Sequence, residues 1–272
     1  MGLRSKFRNW VRKEAFQRGT LITLLVDIDT VRLFLARFRA HYVPVELIRI
    51  GGDGDGGYLL PDILENVEFC FSPGVEYVAH FERELSNRYG IRSFMADASV
   101  DSAPMEDDNF QFIPKFIGNR THGNFVTLSD WVEQSVGQST GARILQMDIE
   151  GGEYDVLMYE SVDSLAQFST IIVEFHWLQR MFEPNFFQTF ATIFEKIYRN
   201  FSICHAHPNN CCGIAEYKNV QVPRVLEVTF VRNDLIEGLA RHDQVRLPHP
   251  LDRKNVPAND ELVMPKIWWR GD

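Results

Sequence analysis

The chain has 272 residues, of which 45 % are hydrophobic and 24 % charged, so it can bury a full core in one large domain, with or without an appendage. Its net charge of −9 argues against a general nucleic-acid binder, which normally presents a basic surface. Four cysteines without a CxxC pair do not suggest a disulfide framework or a zinc site, and we expect a reducing, cytoplasmic location.

Residues 1–45 are predicted to form a basic, helical N-terminal extension. Residues 1–20 carry a net charge of +5, and apolar side chains recur near helical spacing over residues 5–41 until Pro44. An accessory helix, or an arm that forms a homo-oligomer, is the first interpretation. The second is peripheral docking on a membrane surface through the basic face of the helix. The apolar run at residues 21–26 is too short for a secretion signal, and nothing approaches the roughly 20 apolar residues of a membrane span.

A glycine-rich loop follows the first predicted strand, which covers residues 47–50. Residues 51–57 contain five glycines and two aspartates, so the backbone there can approach a ligand closely. The loop lacks the Lys-Ser/Thr pair of a phosphate-binding P-loop and does not match a calcium loop. A glycine-rich hairpin and a loop that lines a cofactor site both remain open.

From Val67 onward, predicted strands and helices alternate along the chain. The strands cover residues 67–71, 91–95, 144–147, 170–173, 201–203 and 224–231, and the helices cover residues 77–89, 128–136 and 185–198. Such alternation predicts an α/β domain at residues 46–246 with a doubly wound, mostly parallel sheet. Residues 247–272 contain four prolines and are predicted to form an extended surface strap.

Polar side chains follow two of the predicted strands at the point where each strand ends. One apolar strand runs into Asp148 and Glu150, and the next ends in Glu174 and His176. In an open α/β sheet, ligands bind beyond the carboxyl ends of the strands. These positions therefore predict an enzyme active site.

A third strand end carries two imidazoles, His205 and His207. We expect that only one of the two can face the cleft, and His207 is the preferred candidate. A histidine there is a candidate general base.

Taken in order, these motifs resemble the FkbM-type S-adenosylmethionine-dependent methyltransferases, in the branch with a GDGGY loop. The similar segments are residues 54–58 (GDGGY), 71–75 (FSPGV), 146–153 (QMDIEGGE), 172–176 (IVEFH), 207–210 (HPNN) and 222–228 (VPRVLEV). The resemblance implies a class I Rossmann-like fold with a seven-stranded sheet. It also implies methyl transfer from S-adenosylmethionine to an oxygen of a sugar or glycosylated natural product.

The resemblance places the cofactor at the turn after the first strand of the domain. Gly74 allows the backbone of this turn to approach the methionine part, although most enzymes of this class have a more acidic and glycine-richer turn. Asp97 ends the next strand, where a carboxylate can bind both ribose hydroxyls, or can instead stabilise a surface turn or cap a helix. The expected cofactor-binding residues are Tyr58, Ser72, Pro73, Gly74, Asp97 and Asp148.

Methyl transfer to a hydroxyl requires an oriented acceptor and the removal of its proton. A divalent ion such as Mg²⁺ or Mn²⁺ would lower the pKa of the hydroxyl, and Asp148, Glu174 and His176 are its expected ligands. Glu150 or His207 would act as the base, with Asp148 near the reacting atoms. Alternatively, these groups only pair with one another or bond a helix N-terminus.

Two rival functions remain open at this stage. A metal-dependent hydrolase or lyase acting on a carbohydrate could use the same acids, but it would not need a nucleoside site at Gly74 and Asp97. A non-catalytic glycan-binding module could keep the fold, and it should tolerate the loss of Asp148 and Glu174. Under each hypothesis, the expected partner is a sugar or a glycan and no nucleic acid.

Overall fold

The computed structural model describes residues 3–20 and 22–271 and has a seven-stranded sheet at its centre. The helices are α1 (Leu3–Gln17), α2 (Ile28–Ala40), α3 (His80–Tyr89), α4 (Leu128–Val136), α5 (Glu153–Tyr159), α6 (Val162–Leu165) and α7 (Pro184–Ile197). The strands are β1 (Leu47–Ile50), β2 (Tyr58–Pro61), β3 (Val67–Pro73), β4 (Arg92–Ala96), β5 (Phe110–Ile113), β6 (Phe116–Gly118), β7 (Phe125–Thr127), β8 (Ala142–Met147), β9 (Phe168–Phe175), β10 (Phe201–Pro208), β11 (Ile214–Tyr217), β12 (Val220–Pro223) and β13 (Leu226–Arg232).

The central sheet has the strand order β10-β13-β9-β8-β3-β4-β5. Strand β13 runs antiparallel to both of its neighbours, and the remaining pairs are parallel. From the central pair β3 and β8, the chain winds outward first through β4 and β5 and later through β9. The predicted doubly wound, mostly parallel, seven-stranded α/β fold is confirmed.

One face of the sheet is covered by an aromatic core between α2, α7 and the tail. Phe194 of α7 is fully buried, and its ring centroid lies 5.4 Å from Phe34 and 5.2 Å from Phe175. Phe38 of α2 also packs against Trp268, at 5.2 Å between centroids. Helix α2 and the tail therefore share their core with the sheet.

The tail is more than the predicted surface strap. Trp268 is completely buried, and Asn255 is only 6 % exposed. Asn210, just after β10, fixes the tail by donating to the Val256 carbonyl at 2.9 Å and accepting from the Val256 N–H at 2.8 Å. Long-range packing of this kind leaves no periodic pattern in a proline-rich sequence, so the sequence did not indicate it.

The predicted N-terminal helical region consists of two helices, because the chain leaves the helix after α1 and starts again at a new cap. The side chain of Asp27 accepts from the Asp29 N–H at 3.1 Å and so begins α2.

The predicted helix at residues 77–89 starts later, at His80, since Glu76 has a φ of +37° that no helix accommodates. Strands β1 and β2 pair as an antiparallel hairpin, so the hairpin interpretation of the glycine-rich loop is confirmed.

Helix α1 exposes large aromatic side chains. Phe7 is 66 % and Trp10 58 % exposed, while the side chains of Arg4 and Lys6 lie outside the described residues, as does Leu21 of the apolar run. Within residues 3–20 and 22–271, no helix is both long and apolar enough to cross a membrane. Membrane docking and oligomer formation through this region stay predictions.

Candidate active site

The point where the sheet changes its winding direction lies between β3 and β8, and it is there that ligands of such sheets bind. The Asp148 N–H donates to the Pro73 carbonyl at 3.2 Å, so the segments that follow the two strands touch. Gly74 has a φ of +89°, and a Cβ atom there would lie 1.5 Å from the Asp148 carbonyl oxygen. Only glycine fits this contact, and it leaves the turn open to a ligand.

A cavity of about 200 Å³ opens at the same place. Three of the expected cofactor-binding residues line it: Tyr58, Gly74 and Asp148. Gln146 also lines it and donates to the Tyr58 hydroxyl at 3.0 Å. Gln146 was not predicted as a site residue, although it precedes Asp148 by two positions and strand periodicity puts such residues on one face.

Asp97 ends β4 at the same edge of the sheet but does not line the cavity. Its carboxylate is 4 % exposed and accepts from the Glu76 N–H at 3.0 Å, the Ser99 N–H at 2.8 Å and the Ser99 hydroxyl at 2.6 Å. These contacts are those of the turn-stabilising alternative. Ribose binding by Asp97 stays a prediction. Ser72 is buried beside Cys70, and the Pro73 carbonyl accepts from the Asp148 N–H.

Residues 94–201 match the family model "Methyltransferase FkbM domain". The chain contains an FkbM methyltransferase domain. The predicted family is thereby confirmed, and the match supports methyltransferase activity with S-adenosylmethionine as the implied methyl donor. No curated protein matches the chain.

Two solved structures are similar to the larger part of the chain at low identity. The fibrillarin pre-rRNA processing protein of Methanococcus jannaschii is 8 % identical, with 69 % of this chain and 82 % of that chain covered and a TM-score of 0.36. Spermidine synthase of Thermotoga maritima is 8 % identical, with 78 % and 82 % covered and a TM-score of 0.35. Scores this low carry no argument about function, and the fold assignment rests on the sheet order.

Three neighbouring strands of the central sheet place polar residues side by side. Glu174 of β9 lies directly opposite Glu227 of β13, which lies opposite His207 of β10. Asp148 follows β8, the strand on the other side of β9. We call Asp148, Glu174 and Glu227 the acidic row. Since strands are about 4.8 Å apart, His207 lies about 10 Å from Glu174 and farther from Asp148 at the backbone.

His176 stands at the centre of the predicted metal site. Its Nε2 atom lies 3.7 Å from Asp148 Oδ1, 3.5 Å from Glu150 Oε2 and 3.9 Å from Glu174 Oε1. The ligand atoms of Asp148, Glu174 and His176 lie within 4.8 Å of one another. Asp148 Oδ1 and His176 Nδ1 are buried without a hydrogen-bond partner. The structure thus brings together the three predicted metal ligands, here called the carboxylate–histidine cluster, and Glu150, but not His207.

Glu153, at the start of α5, holds this cluster in place and was not predicted. It is fully buried, and its carboxylate accepts from the His176 N–H at 2.7 Å and from the Gly151 N–H at 2.8 Å. An acid in the first turn of a helix is favourably placed against the helix dipole, which was the available signal. Glu153 therefore fixes the segments that carry Glu150 and His176.

The electrostatics of the acidic row favour a proton or a cation. Burial raises the pKa of Asp148 to about 7, although His176 lowers it, and burial together with the charge of Asp148 raises the pKa of Glu174 well above its usual value. Burial also raises the pKa of Glu227. Asn209 donates to Glu174 at 2.9 Å and Asn255 to Glu227 at 2.5 Å, but these amides are neutral. A positive charge would stabilise all three carboxylates.

The prediction that only one of His205 and His207 faces the cleft is wrong. His205 Nε2 lies 2.8 Å and His207 Nδ1 3.6 Å from the same oxygen, Asp252 Oδ1. Residues two apart in a strand point to the same face, so the two imidazoles lie on one side of β10. Asp252 belongs to the tail, and no sequence pattern connected it to β10.

Proposed function

We propose that this FkbM domain methylates a hydroxyl group of a sugar or a glycosylated natural product. S-adenosylmethionine is the methyl donor, and a divalent ion of the Mg²⁺ or Mn²⁺ type assists at the carboxylate–histidine cluster. One observation carries the proposal: the three ligand atoms of the cluster converge within 4.8 Å and adjoin the cavity at Gly74 through Asp148.

The residues around the cavity fit the cofactor. S-adenosylmethionine would supply an electrophilic methyl group on a sulfonium. Gly74 provides a turn without a side chain, and Tyr58 and Asp148 line the cavity beside it. The hydrogen bond between Tyr58 and Gln146 fixes the hydroxyl that faces this space. The proposal therefore assigns binding and orientation of the donor to these four residues.

The donor set of the cluster fits a hard divalent ion with one imidazole ligand. Asp148 and Glu174 offer carboxylate oxygens, which Mg²⁺ and Mn²⁺ prefer, and His176 offers a nitrogen, which Mn²⁺ also accepts. A Lewis acid at this point would stabilise the negative charge of the deprotonated hydroxyl by roughly several kcal/mol. The pKa of the bound hydroxyl would fall as a result. It would also neutralise carboxylates whose burial disfavours their charge.

Glu150 is the proposed general base. Its side chain is 75 % exposed and reaches within 3.5 Å of His176 Nε2, so it borders the cluster and can release a proton to solvent. A general base must lie within hydrogen-bond reach of the proton it takes. His207 lies two strands beyond Glu174 and does not meet this requirement.

Trp177 supports a sugar as the acceptor. Its indole is 45 % exposed and lies against Gly151, where a Cβ atom would come within 2.2 Å of the ring. The residue has a φ of +57°, an uncommon backbone conformation that is often associated with functional sites. An exposed aromatic face next to Glu150 offers a platform on which a sugar ring can stack.

The proposal is tested by methyl transfer from isotopically labelled S-adenosylmethionine to a panel of mono- and oligosaccharides, with a sugar-free phenol as the comparison acceptor. The protein is treated with a chelator and then supplied with Mg²⁺ or Mn²⁺. We expect label in a sugar product only after metal is added. Asp148→Asn and Glu174→Gln should each reduce the rate by about a hundredfold or more, the size of a lost electrostatic contact to the transition state.

Asp163→Asn is the matched control, because Asp163 is an exposed acid in α6, away from the cluster. It should leave the rate unchanged. Label transfer that is unaffected by the chelator would refute the metal. Label that enters the phenol in preference to every sugar would refute the acceptor class.

A further inference from the structure

A second group of possible metal ligands lies at the far end of the acidic row. His205 and His207 project from β10, and Asp252 of the tail reaches both of them. One nitrogen from each histidine and one oxygen of Asp252 lie within 4.8 Å of one another. The side chains of His205 and Asp252 are each 4 % exposed, so this group is buried.

Three of the four ring nitrogens of the two histidines lack hydrogen-bond partners among the described residues. His205 is 3 % and His207 8 % exposed, yet His205 Nδ1 and both ring nitrogens of His207 are buried with no partner among the described residues. A buried polar atom without a partner is unfavourable, and native proteins rarely keep several of them together. Three such atoms in two nearby residues therefore require an explanation. A bound ion would provide one, because a ring nitrogen of His207 would then coordinate it.

The protonation states suit a metal. Burial lowers the pKa of His205 to about 4, so its imidazole is neutral, the form in which histidine binds metals. Although burial raises the pKa of Asp252, the neighbouring imidazoles of His207 and His205 hold it below its usual value, so Asp252 is a carboxylate. Although burial opposes it, the charges of Asp252 and Glu227 raise the pKa of His207, so this imidazole would give up its proton to a bound metal. Two imidazoles and one carboxylate form a ligand set typical of zinc.

We propose that His205, His207 and Asp252 bind a transition-metal ion of the zinc class, separate from the ion at the carboxylate–histidine cluster. A cavity of about 420 Å³ borders one of the three ligands, His205. The site uses none of the residues of the carboxylate–histidine cluster.

The ion would fasten the tail to the sheet beside the acidic row. Asp252 lies three residues before Asn255, which donates to Glu227 at 2.5 Å and to Asp55 at 3.2 Å. Two ligands on β10 and one on the tail would hold the tail in place before Asn255. After Asn255, the hydrogen bonds between Asn210 and Val256 hold it. The proposed site is thus a clip that fixes the tail over Glu227 and the glycine-rich loop.

The test is calorimetric titration of the metal-free full chain with Zn²⁺, carried out on wild type and on the Asp148→Asn variant. We expect Asp148→Asn to retain one equivalent of tightly bound Zn²⁺, since the clip does not use Asp148. Adding Asp252→Asn or His207→Gln to that variant should weaken this equivalent by about tenfold to a hundredfold or abolish it, the range for loss of a ligand or of its support. His242→Gln is the matched control, because His242 borders the same cavity, is exposed and is not a member of the group.

A second measurement reports on the tail itself. Arg253 and Lys254 are exposed, so trypsin can cut next to the clip. Zn²⁺ should slow this cleavage in wild type and in His242→Gln but not in His207→Gln, with circular dichroism showing that each variant is folded. If Asp148→Asn binds no Zn²⁺, or if Asp252→Asn and His207→Gln bind it as tightly as the control does, the clip does not exist. Both results are independent of methyl transfer.

Discussion

The aromatic core around Phe194 and the acidic row are both buried, but they are built in opposite ways. Phe194 has no exposed surface, and aromatic rings surround it at centroid distances of 4.6 to 5.8 Å. Glu174 and Glu227 are 4 % and 6 % exposed, and burial raises the pKa of both. The core removes apolar surface from water, whereas the row removes ionisable groups from water.

This difference shows which region serves stability and which serves function. Closely packed apolar side chains stabilise the native state by about 1.5–3 kcal/mol each. Buried acids without a cationic partner reduce stability, and they persist where binding or catalysis requires them. Substitutions in the core should therefore lower stability and leave the chemistry intact, while substitutions at the carboxyl edge should change the chemistry more than the stability.

The largest expected effect is in the core. Phe194→Ala should reduce the free energy of unfolding by about 3–5 kcal/mol, because the cavity it creates lies between rings that cannot collapse into it. Phe116→Ala is the control, since Phe116 is 40 % exposed, and it should cost less than about 1 kcal/mol. Urea denaturation measures both values. Equal losses in the two variants would contradict the assignment of stability to the core.

The next effect tests the contact where β3 meets β8. Gly74→Ala should cost more than about 2 kcal/mol, because the Cβ atom meets the Asp148 carbonyl and the φ of +89° disfavours any side chain. Gly90→Ala has the same kind of backbone, with a φ of +68°, but nothing within 4 Å of the added atom, and it should cost about 1 kcal/mol. The difference between their free energies of unfolding separates the steric clash with the Asp148 carbonyl from the backbone strain that both variants share. The two variants would be equally stable if the strands did not touch there.

A smaller effect concerns the acceptor. Trp177→Ala should raise KM for the sugar by about twofold to tenfold, the value of an aromatic contact of roughly 0.5–1.5 kcal/mol, with kcat little changed. Trp269→Ala is a comparison variant in the tail, away from the cavity, and should not change KM. Steady-state kinetics with the best acceptor of the panel measures both. A fall in kcat without a change in KM would refute the stacking role.

The smallest effect is a pH dependence at the rim of the cavity. Burial raises the pKa of Glu82, so the folded protein prefers the neutral acid. The stability it contributes is complete below the unfolded pKa of about 4.3 and is lost as pH rises through the higher folded value. Wild type should therefore lose stability relative to Glu82→Gln as the pH rises above about 4.3. Glu65→Gln, at an exposed acid, should show no such trend in thermal denaturation. A trend of the same size in both variants would contradict the burial argument.

The sequence was sufficient where the signal is local. Alternating strands and helices predicted the sheet, and the polar residues at the ends of β8 and β9 predicted that Asp148 and Glu174 meet, because consecutive parallel strands end at one edge. The glycine-rich loop was visible in its composition, and the turn at Gly74 came from the resemblance to the family. These features depend on spacing within a few residues, and that information is present in the chain.

The sequence was insufficient where strand order or the tail decides the geometry. Strand β13 comes last in the chain but inserts between β9 and β10, so it separates His207 from Glu174. Asp252 and Asn255 reach the row through a tail that has no periodic pattern, held by Asn210 and by Trp268 in the core. Such contacts arise from tertiary packing between distant segments, which single-sequence patterns do not encode.

Calorimetric titration of the full chain with S-adenosylmethionine and its demethylated product tests the central assignment most directly. The account predicts that wild type and Gly90→Ala bind both nucleosides, whereas Gly74→Ala, shown by circular dichroism to be folded, loses them. Binding should not require a metal, because the cavity at Gly74 is lined by residues outside Glu174 and His176. If wild type binds neither nucleoside, or if Gly74→Ala binds them as well as Gly90→Ala does, the cofactor does not lie between β3 and β8.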